Sequence, residues 1–301
     1  MESHQRDGLL GEPRPLLQAP TERLDLRSNY VICKHCKAVF ERILPSVQHN
    51  INNITRDDLY RHYRTYYTPN NATIVVVGDF DTKNMFAQIE RFFGSIPRGP
   101  EVPKVGAVEL KHQGERRLVF KRQAELPAVL AGYQVPTVKQ PDSYALEVLQ
   151  GVLSSGKSSR LYRSLVYEKQ IALSVGGDYD NVSADPNIFT LYASVMPGKT
   201  ADVVEKALYA EVDKLKTESI SDEELQKAKN QIESSFIMGQ DSIFYQAMLL
   251  GQFETVAEWR LLEKYVDNIR AVTKEDVMRV AKEYFTENNR TVGILVPVRA
   301  K

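Results

Sequence analysis

The feature that most constrains this chain is an internal repeat. Residues 54–77 read ITRDDLYRHYRTYYTPNNATIVVV, and residues 272–295 read VTKEDVMRVAKEYFTENNRTVGIL. The two align without a gap, with identities at Thr55/Thr273, Asp58/Asp276, Arg61/Arg279, Tyr66/Tyr284, Thr68/Thr286, Asn70/Asn288, Asn71/Asn289 and Thr73/Thr291. Leu59/Val277 and Tyr67/Phe285 are conservative pairs. Each copy opens on a threonine with an aspartate three residues on, a capping box with a shorter acid than the usual glutamate. A helix of about three turns follows and ends at paired aromatics. Asn-Asn then tolerates a turn, and a β-branched run predicts a strand, over Ala72–Val77 in the first copy and Thr291–Val298 in the second. Each copy therefore reads helix, turn, strand. So long a period implies duplicated domains and not a stacked solenoid.

The second copy closes the chain, so the first is expected near the end of a first domain. The stretch 94–115, GSIPRGPEVPKVGAVELKHQGE, is rich in Gly and Pro and reads as a linker. The expected organisation is a poorly matching segment over 1–53, a C-terminal remnant of the first domain over 54–94, a linker over 95–115 and a second domain over 116–301. If the copies were equal in extent, the first domain lacks roughly its first 100 residues.

Within the second domain, Arg117–Arg122, Ala128–Val135, Leu173–Asp180, Ile188–Met196 and Thr291–Val298 read as strands. Helices are expected from Pro141 to about Leu153, then over Ser159–Lys169, Thr200–Thr217, Glu258–Ile269 and Lys274–Tyr284. Ser221-Asp-Glu-Glu224 is a capping box that opens another, running past Ser235. Consecutive strands mixed with helices imply an α+β class: antiparallel sheets carrying helices on one face, in two homologous domains of which the first is incomplete.

Composition excludes several function classes. Lys+Arg and Asp+Glu balance at 39 each, so no net field draws the chain to nucleic acid or to an anionic membrane. No apolar run approaches the roughly 18 residues of a membrane span. MESHQRDGLLGEPRPLL has no apolar core of a signal peptide.

The words YRTYYTPNNATIVVVGDF, FFGSIPRG, SSGKSSRLYRSL and ALSV, in that order, resemble the insulinase/pitrilysin zinc peptidases. The likeness runs from about Asn53 to Val298. The resemblance implies two homologous α+β domains closing as a clamshell around a peptide substrate. It also implies zinc held by an inverted H-x-x-E-H motif and a distant Glu, the first Glu polarising the attacking water. The histidines are His4, His35, His49, His62 and His112, and neither H-x-x-E-H nor H-E-x-x-H occurs. The motif belongs to the first part of the family's first domain, so no catalytic or metal residue is assigned here and zinc is expected only in the full-length family. His62 reads as a lone helix histidine.

Many members also carry Arg and Tyr in the second domain, in the pattern L-R-x-x-x-x-x-x-Y, to bind substrate and the transition state. Here Leu165-Val-Tyr-Glu-Lys-Gln-Ile-Ala-Leu173 puts Val166 at the Arg position and Leu173 at the Tyr position. Neither donates to an oxyanion. The resemblance is thus to the zinc-bearing subunit of a two-subunit bacterial peptidase, whose partner subunit supplies Arg and Tyr. It implies a periplasmic or cytoplasmic setting and a chain inactive alone. An alternative is a non-catalytic, peptide-binding or structural subunit like the core proteins of respiratory complexes.

Two further motifs read as incidental. Cys33 and Cys36 form one C-x-x-C pair, whereas a structural zinc site commonly needs two. Ser155–Arg160, SGKSSR, lacks the spacing of a phosphate-binding loop and reads as a helix entry.

Overall fold

The computed structural model describes residues 53–103 and 113–298. Cys33, Cys36 and every histidine but His62 lie outside them, as do residues 104–112 of the expected linker.

The first copy of the repeat forms α1 (Arg56–Tyr66), a 3-10 turn (Pro69–Asn71), and, after an extended stretch, α2 (Thr82–Phe93). The capping box is made: the Asp58 amide donates to Thr55 Oγ1 at 3.2 Å and the Thr55 amide to Asp58 Oδ2 at 3.0 Å. The Asp81 carboxylate caps α2, accepting from the Asn84 amide at 2.8 Å. No residue of either helix is buried. The strand expected over Ala72–Val77 does not form. The run is β-branched, but a strand is defined by its partners, and among the described residues no strand pairs with it.

The second part is a sheet with helices on one face. Its strands are β1 (Arg116–Gln123), β2 (Ala128–Val135), β3 (Ala172–Asp178), β4 (Asn187–Val195) and β5 (Arg290–Val298), in the order β1-β5-β2-β4-β3. The three inner and right-hand ladders are antiparallel, while β1 joins β5 in parallel. Charge holds that parallel edge. Glu115 bridges Arg117 and Arg290, Arg117 also pairs with Glu205 of the helix layer, and the Arg290 guanidinium lies 3.9 Å from the centre of the Tyr209 ring.

Period-2 alternation sorts the sheet. Ala131, Tyr133 and Val135 of β2, and Phe189, Leu191, Ala193 and Val195 of β4, are buried on the helix side. Against them pack α3 (Asp142–Ser154), α4 (Ala201–Thr217) and α8 (Lys274–Tyr284). Tyr133, Phe189 and Phe285 meet with ring centres 4.8 and 4.9 Å apart, two aromatics from the sheet and one from the end of the repeat helix. Each such burial contributes about 1.5–3 kcal/mol.

Three helices complete the unit: α5 (Asp222–Gly239), α6 (Ile243–Val256) and α7 (Tyr265–Ala271). The Ser221/Glu224 capping box that opens α5 is made in both directions. No element was expected over α6, whose run from Ile243 to Leu250 is apolar without helical period. The helix expected over Glu258–Ile269 is a 3-10 turn (Trp259–Lys264) followed by α7. Among the described residues no helix is long and apolar enough to cross a membrane.

Candidate functional site

The sequence singled out the segment from Ser155 to Leu173, and the structure makes it the entry to the edge strand β3. The chain leaves α3 and reverses at Gly156, whose φ of 77° lies in the left-handed region that side chains disfavour. Ser159 Oγ donates to the Gly156 carbonyl at 2.7 Å and closes the turn. Arg160 then donates twice to Glu224, at 2.7 and 2.8 Å, tying the loop to the start of α5. The Arg160 guanidinium holds the Glu224 carboxyl down to about 2. These contacts make the SGKSSR loop a helix entry.

The helix expected over Ser159–Lys169 is wound as a π-helix over Tyr162–Glu168. The Lys169 amide donates to the Ser164 carbonyl, five residues back, at 3.0 Å. Gln170 ends it at φ 50°, and the Ile171 amide reaches the Leu165 carbonyl at 3.0 Å. That is the left-handed helix stop usually given to glycine. Leu161 and Leu165 are fully buried. Ser164 Oγ donates to the Glu211 carboxylate at 2.6 Å, and Lys214 and Lys169 approach the same group at 3.0 and 3.4 Å. Burial pushes Glu211 up, but the Ser164 and Lys214 hydrogen bonds outweigh it and leave the carboxyl below its usual range. The wide turn is pinned to α4 by this cluster. Short π segments are rare and often mark functional sites.

Val166 and Leu173 fall on consecutive elements that pack on each other, the π-helix and β3. Val166 is partly buried against the core. Leu173 is 45% exposed and sits in a β-bulge: Ala172 pairs with Val195 and Ser174 with Ser194, so Leu173 has no partner of its own. A bulge re-aims a side chain and bends its strand. Neither Val166 nor Leu173 carries a hydrogen-bond donor beyond the backbone. The hydroxyls next in sequence are those of Tyr167, exposed on the same turn as Val166, and of Ser174 beside Leu173. β3 is an edge of the sheet, and such an edge is a template for an extended chain.

One group escaped the sequence reading. Glu147, partly buried on α3, accepts from Asn181 Nδ2 at 2.8 Å and from the Tyr265 hydroxyl. Burial pushes its carboxyl up to about 7, against the lowering effect of those two bonds. The Asn181 carbonyl accepts from the Val138 amide at 2.8 Å, so the carboxyl ties α3, α7 and both loops at one end of the sheet together. The available signal was an acid inside the apolar run YALEVL, read only as helix.

The described residues do not fit a zinc ion. No three His, Cys, Asp or Glu side chains among them converge on a common point. His62 lies on α1 with its ring 4.5 Å from that of Tyr66. No step through zinc is derived from this chain.

Comparison with known proteins follows the same segments. The family described as the peptidase M16 inactive domain matches residues 53–232. The zinc protease PqqE of Helicobacter pylori is 31% identical over 251 residues, which are 82% of this chain and 56% of that protein. The chain thus spans little more than half the length of this relative. The crystal structure of a protease from Helicobacter pylori superposes with a TM-score of 0.78 at 30% identity, over 83% of this chain and 60% of that one. A chain of complex III2 from Candida albicans superposes with a TM-score of 0.70 at 19% identity, over 82% of this chain and 60% of that one, a likeness of fold.

Proposed function

This chain belongs to the M16 peptidase family, whose inactive domain it carries, and from that premise we propose that it is the non-zinc side of a clamshell endopeptidase. In this reading residues 116–301 are the second peptidase-like domain, residues 54–94 belong to the domain that faces it, and residues 95–115 join the two. A zinc-bearing half supplies H-x-x-E-H and the third ligand. A peptide lies between the two sides, extended along a sheet edge. The observation that carries the reading is the family match to the inactive domain in a chain without H-x-x-E-H.

The chemistry of Val166 and Leu173 sharpens it. With neither Arg nor Tyr at these positions, this side gives the developing oxyanion no side-chain donor. A second family subunit then supplies them, as in the two-subunit bacterial enzymes that the sequence resembles. Losing one well-placed oxyanion donor costs about 2.7–4 kcal/mol, or roughly 100- to 1000-fold in rate.

The test is peptide hydrolysis. The purified chain is expected to turn over no peptide, with or without added zinc, because it lacks the ligands. A zinc-bearing half is expected to restore weak, chelator-sensitive hydrolysis, raised at least a hundredfold by a subunit bearing Arg and Tyr. Chelator-sensitive turnover by the homogeneous chain alone rejects this reading. The likeness of fold to a complex III2 chain favours a second one, a non-catalytic subunit held in an assembly. A zinc-loaded assembly that binds but never cleaves peptide supports that instead.

A further inference from the structure

The five-stranded sheet has two edges, and they are finished differently. At β3 the register breaks at Leu173, and the Gly177 carbonyl already accepts from Gln150 Nε2 and Ser154 Oγ of α3, both at 3.0 Å. That edge offers a partner only a short template. β1 is the opposite edge. It keeps one parallel register with β5 through all 8 residues, from Arg116 beside Thr291 to Gln123 beside Val298. Among the described residues no strand pairs with its other side.

Successive side chains of β1 point to opposite faces of the sheet. Phe120 packs with Ala128 and Leu295 on the face away from the helices, and Arg116, Leu118 and Arg122 share that face. Arg117 reaches Glu205 of α4, so Val119 and Lys121 share the helix side. Phe120 is the buried residue of this strand, while Leu118 and Val119 are 45% and 46% exposed. Each face therefore carries an apolar centre between two bases. Glu115 and Glu205 neutralise Arg117. Among the described residues no carboxylate pairs with Arg116 or Lys121, and both are exposed.

We propose that β1 is a strand-accepting edge for an extended acidic segment of a partner polypeptide. The segment pairs along β1, sets apolar side chains beside Leu118 and Val119, and carries carboxylates beside Arg116 and Lys121. Apolar pairs and opposite charges across a ladder each favour such an addition. Edge bases by themselves serve to keep a strand single. That device places charge at the middle of the strand, whereas here the middle is apolar on both faces. A second copy of this chain does not fit the role. Antiparallel self-pairing about Val119 sets Arg116 against Arg122 and Arg117 against Lys121, and parallel pairing in register sets each base against itself. Like charges directly opposite are destabilising. The surface lies on the edge opposite β3 and stands apart from the peptidase reading.

The probe is a synthetic peptide of about ten residues with glutamate and valine in alternation, added to the full chain. One control peptide has the same residues in two blocks, and another has lysine in place of glutamate. At saturation with the alternating acidic peptide, hydrogen exchange at the β1 amides that do not donate to β5 is expected to slow at least about tenfold. The block and basic peptides are expected to give no such protection. Raising salt to about 0.5 M shortens the reach of the charges and is expected to weaken binding at least about tenfold. Arg116→Glu combined with Lys121→Glu is expected to weaken it by at least the same factor. Both side chains are exposed, so unchanged exchange in β2 and β4 verifies folding. If that pair misfolds, Arg116→Gln with Lys121→Gln reads the same loss, smaller in size. Absence of β1 protection overturns the proposal, the bases then serving only to keep the edge single. Equal protection by all three peptides overturns it too, as does binding indifferent to the substitutions. So does protection of β1 in the free chain: if it persists on dilution the chain covers its own edge, and if it fades the chain self-associates there.

Discussion

Two stretches of this chain begin with the same local instructions and end in different surroundings. α1 and α8 have the same length, the same Thr–Asp capping box and the same Asn-Asn turn. Yet Tyr67 is 72% exposed where Phe285 is 1% exposed, and Leu59 is 61% exposed where Val277 is 1% exposed. The strand after the second turn is paired on both sides, and the stretch after the first is extended with no ladder. The difference teaches which part of a supersecondary unit is self-contained. A capped helix and an Asn turn are satisfied within a few residues of themselves. A strand and an apolar helix face are satisfied only by segments distant in sequence.

The largest test of this contrast is a pair of truncations. Phe285→Ala removes the ring that joins Tyr133 to Phe189 and is expected to cost about 3–5 kcal/mol of unfolding free energy. Tyr67→Ala, at the matching position, is expected to stay within about 0.5 kcal/mol. Urea denaturation of both measures the gap, and equal costs would dissolve the comparison.

Glu147 gives the packed unit a pH dependence of its own. Its carboxyl is raised from 4.5 to about 7, so between those values the folded state holds a proton that the unfolded state has released. This contribution is whole below 4.5 and is lost as pH rises through 7, by at most about 3 kcal/mol and by less where solvent reaches the group. Glu147→Gln keeps partners for Asn181 and Tyr265 and is expected to flatten the slope of stability between pH 5 and 8. Glu224 runs the other way: its carboxyl, held down to about 2 by Arg160, stabilises above 4.5 and loses that contribution as pH falls toward 2. Melting curves across pH in Glu147→Gln and in Glu224→Gln separate these opposite slopes.

Smaller effects divide the turns. Asn289→Ala removes the hydrogen bonds to the Gln134 and Tyr284 carbonyls together and is expected to cost about 1–3 kcal/mol. Asn71→Ala frees one exposed carbonyl and is expected to cost less than about 0.5 kcal/mol. The smallest contrast lies in the caps. Thr273→Ala is expected to lower global stability by about 1 kcal/mol, whereas Thr55→Ala frays α1 locally, seen as faster exchange at Asp57 and Asp58 without a shift in the urea midpoint.

Much of this was legible without coordinates. The repeat, the three capping boxes, the five strands of the second unit and the helices α3, α4, α5 and α8 stand where periodicity and turn chemistry put them. The elements that eluded sequence reasoning share a physical reason. α6 is apolar without period, and the structure buries only Phe253 of it, leaving Ile243 and Phe244 exposed, so its sequence carries no two-faced signal. The π-turn after Leu161 obeys the same composition as an α-helix, and its width follows from the Ser164–Glu211–Lys214 pin to a helix about 45 residues on. At the candidate site, the residue types at 166 and 173 were readable, but the bulge that leaves Leu173 unpaired was not, because it is a mismatch of register between two strands.

By itself the sequence determined what local interactions control: where helices start, where the chain turns, which residues alternate toward a core, and that the unit occurs twice. It also shows that neither H-x-x-E-H nor H-E-x-x-H occurs among the letters. Only the tertiary structure decided how the second copy is packed, that β1 adds in parallel, that β3 is an edge, and that Glu147 shifts toward neutrality. The reason is the range of the forces involved. Caps and turns are closed by hydrogen bonds spanning three to five residues, whereas burial, strand pairing and desolvation depend on segments distant in sequence, as Glu147 depends on Asn181 and Tyr284 on Asp142.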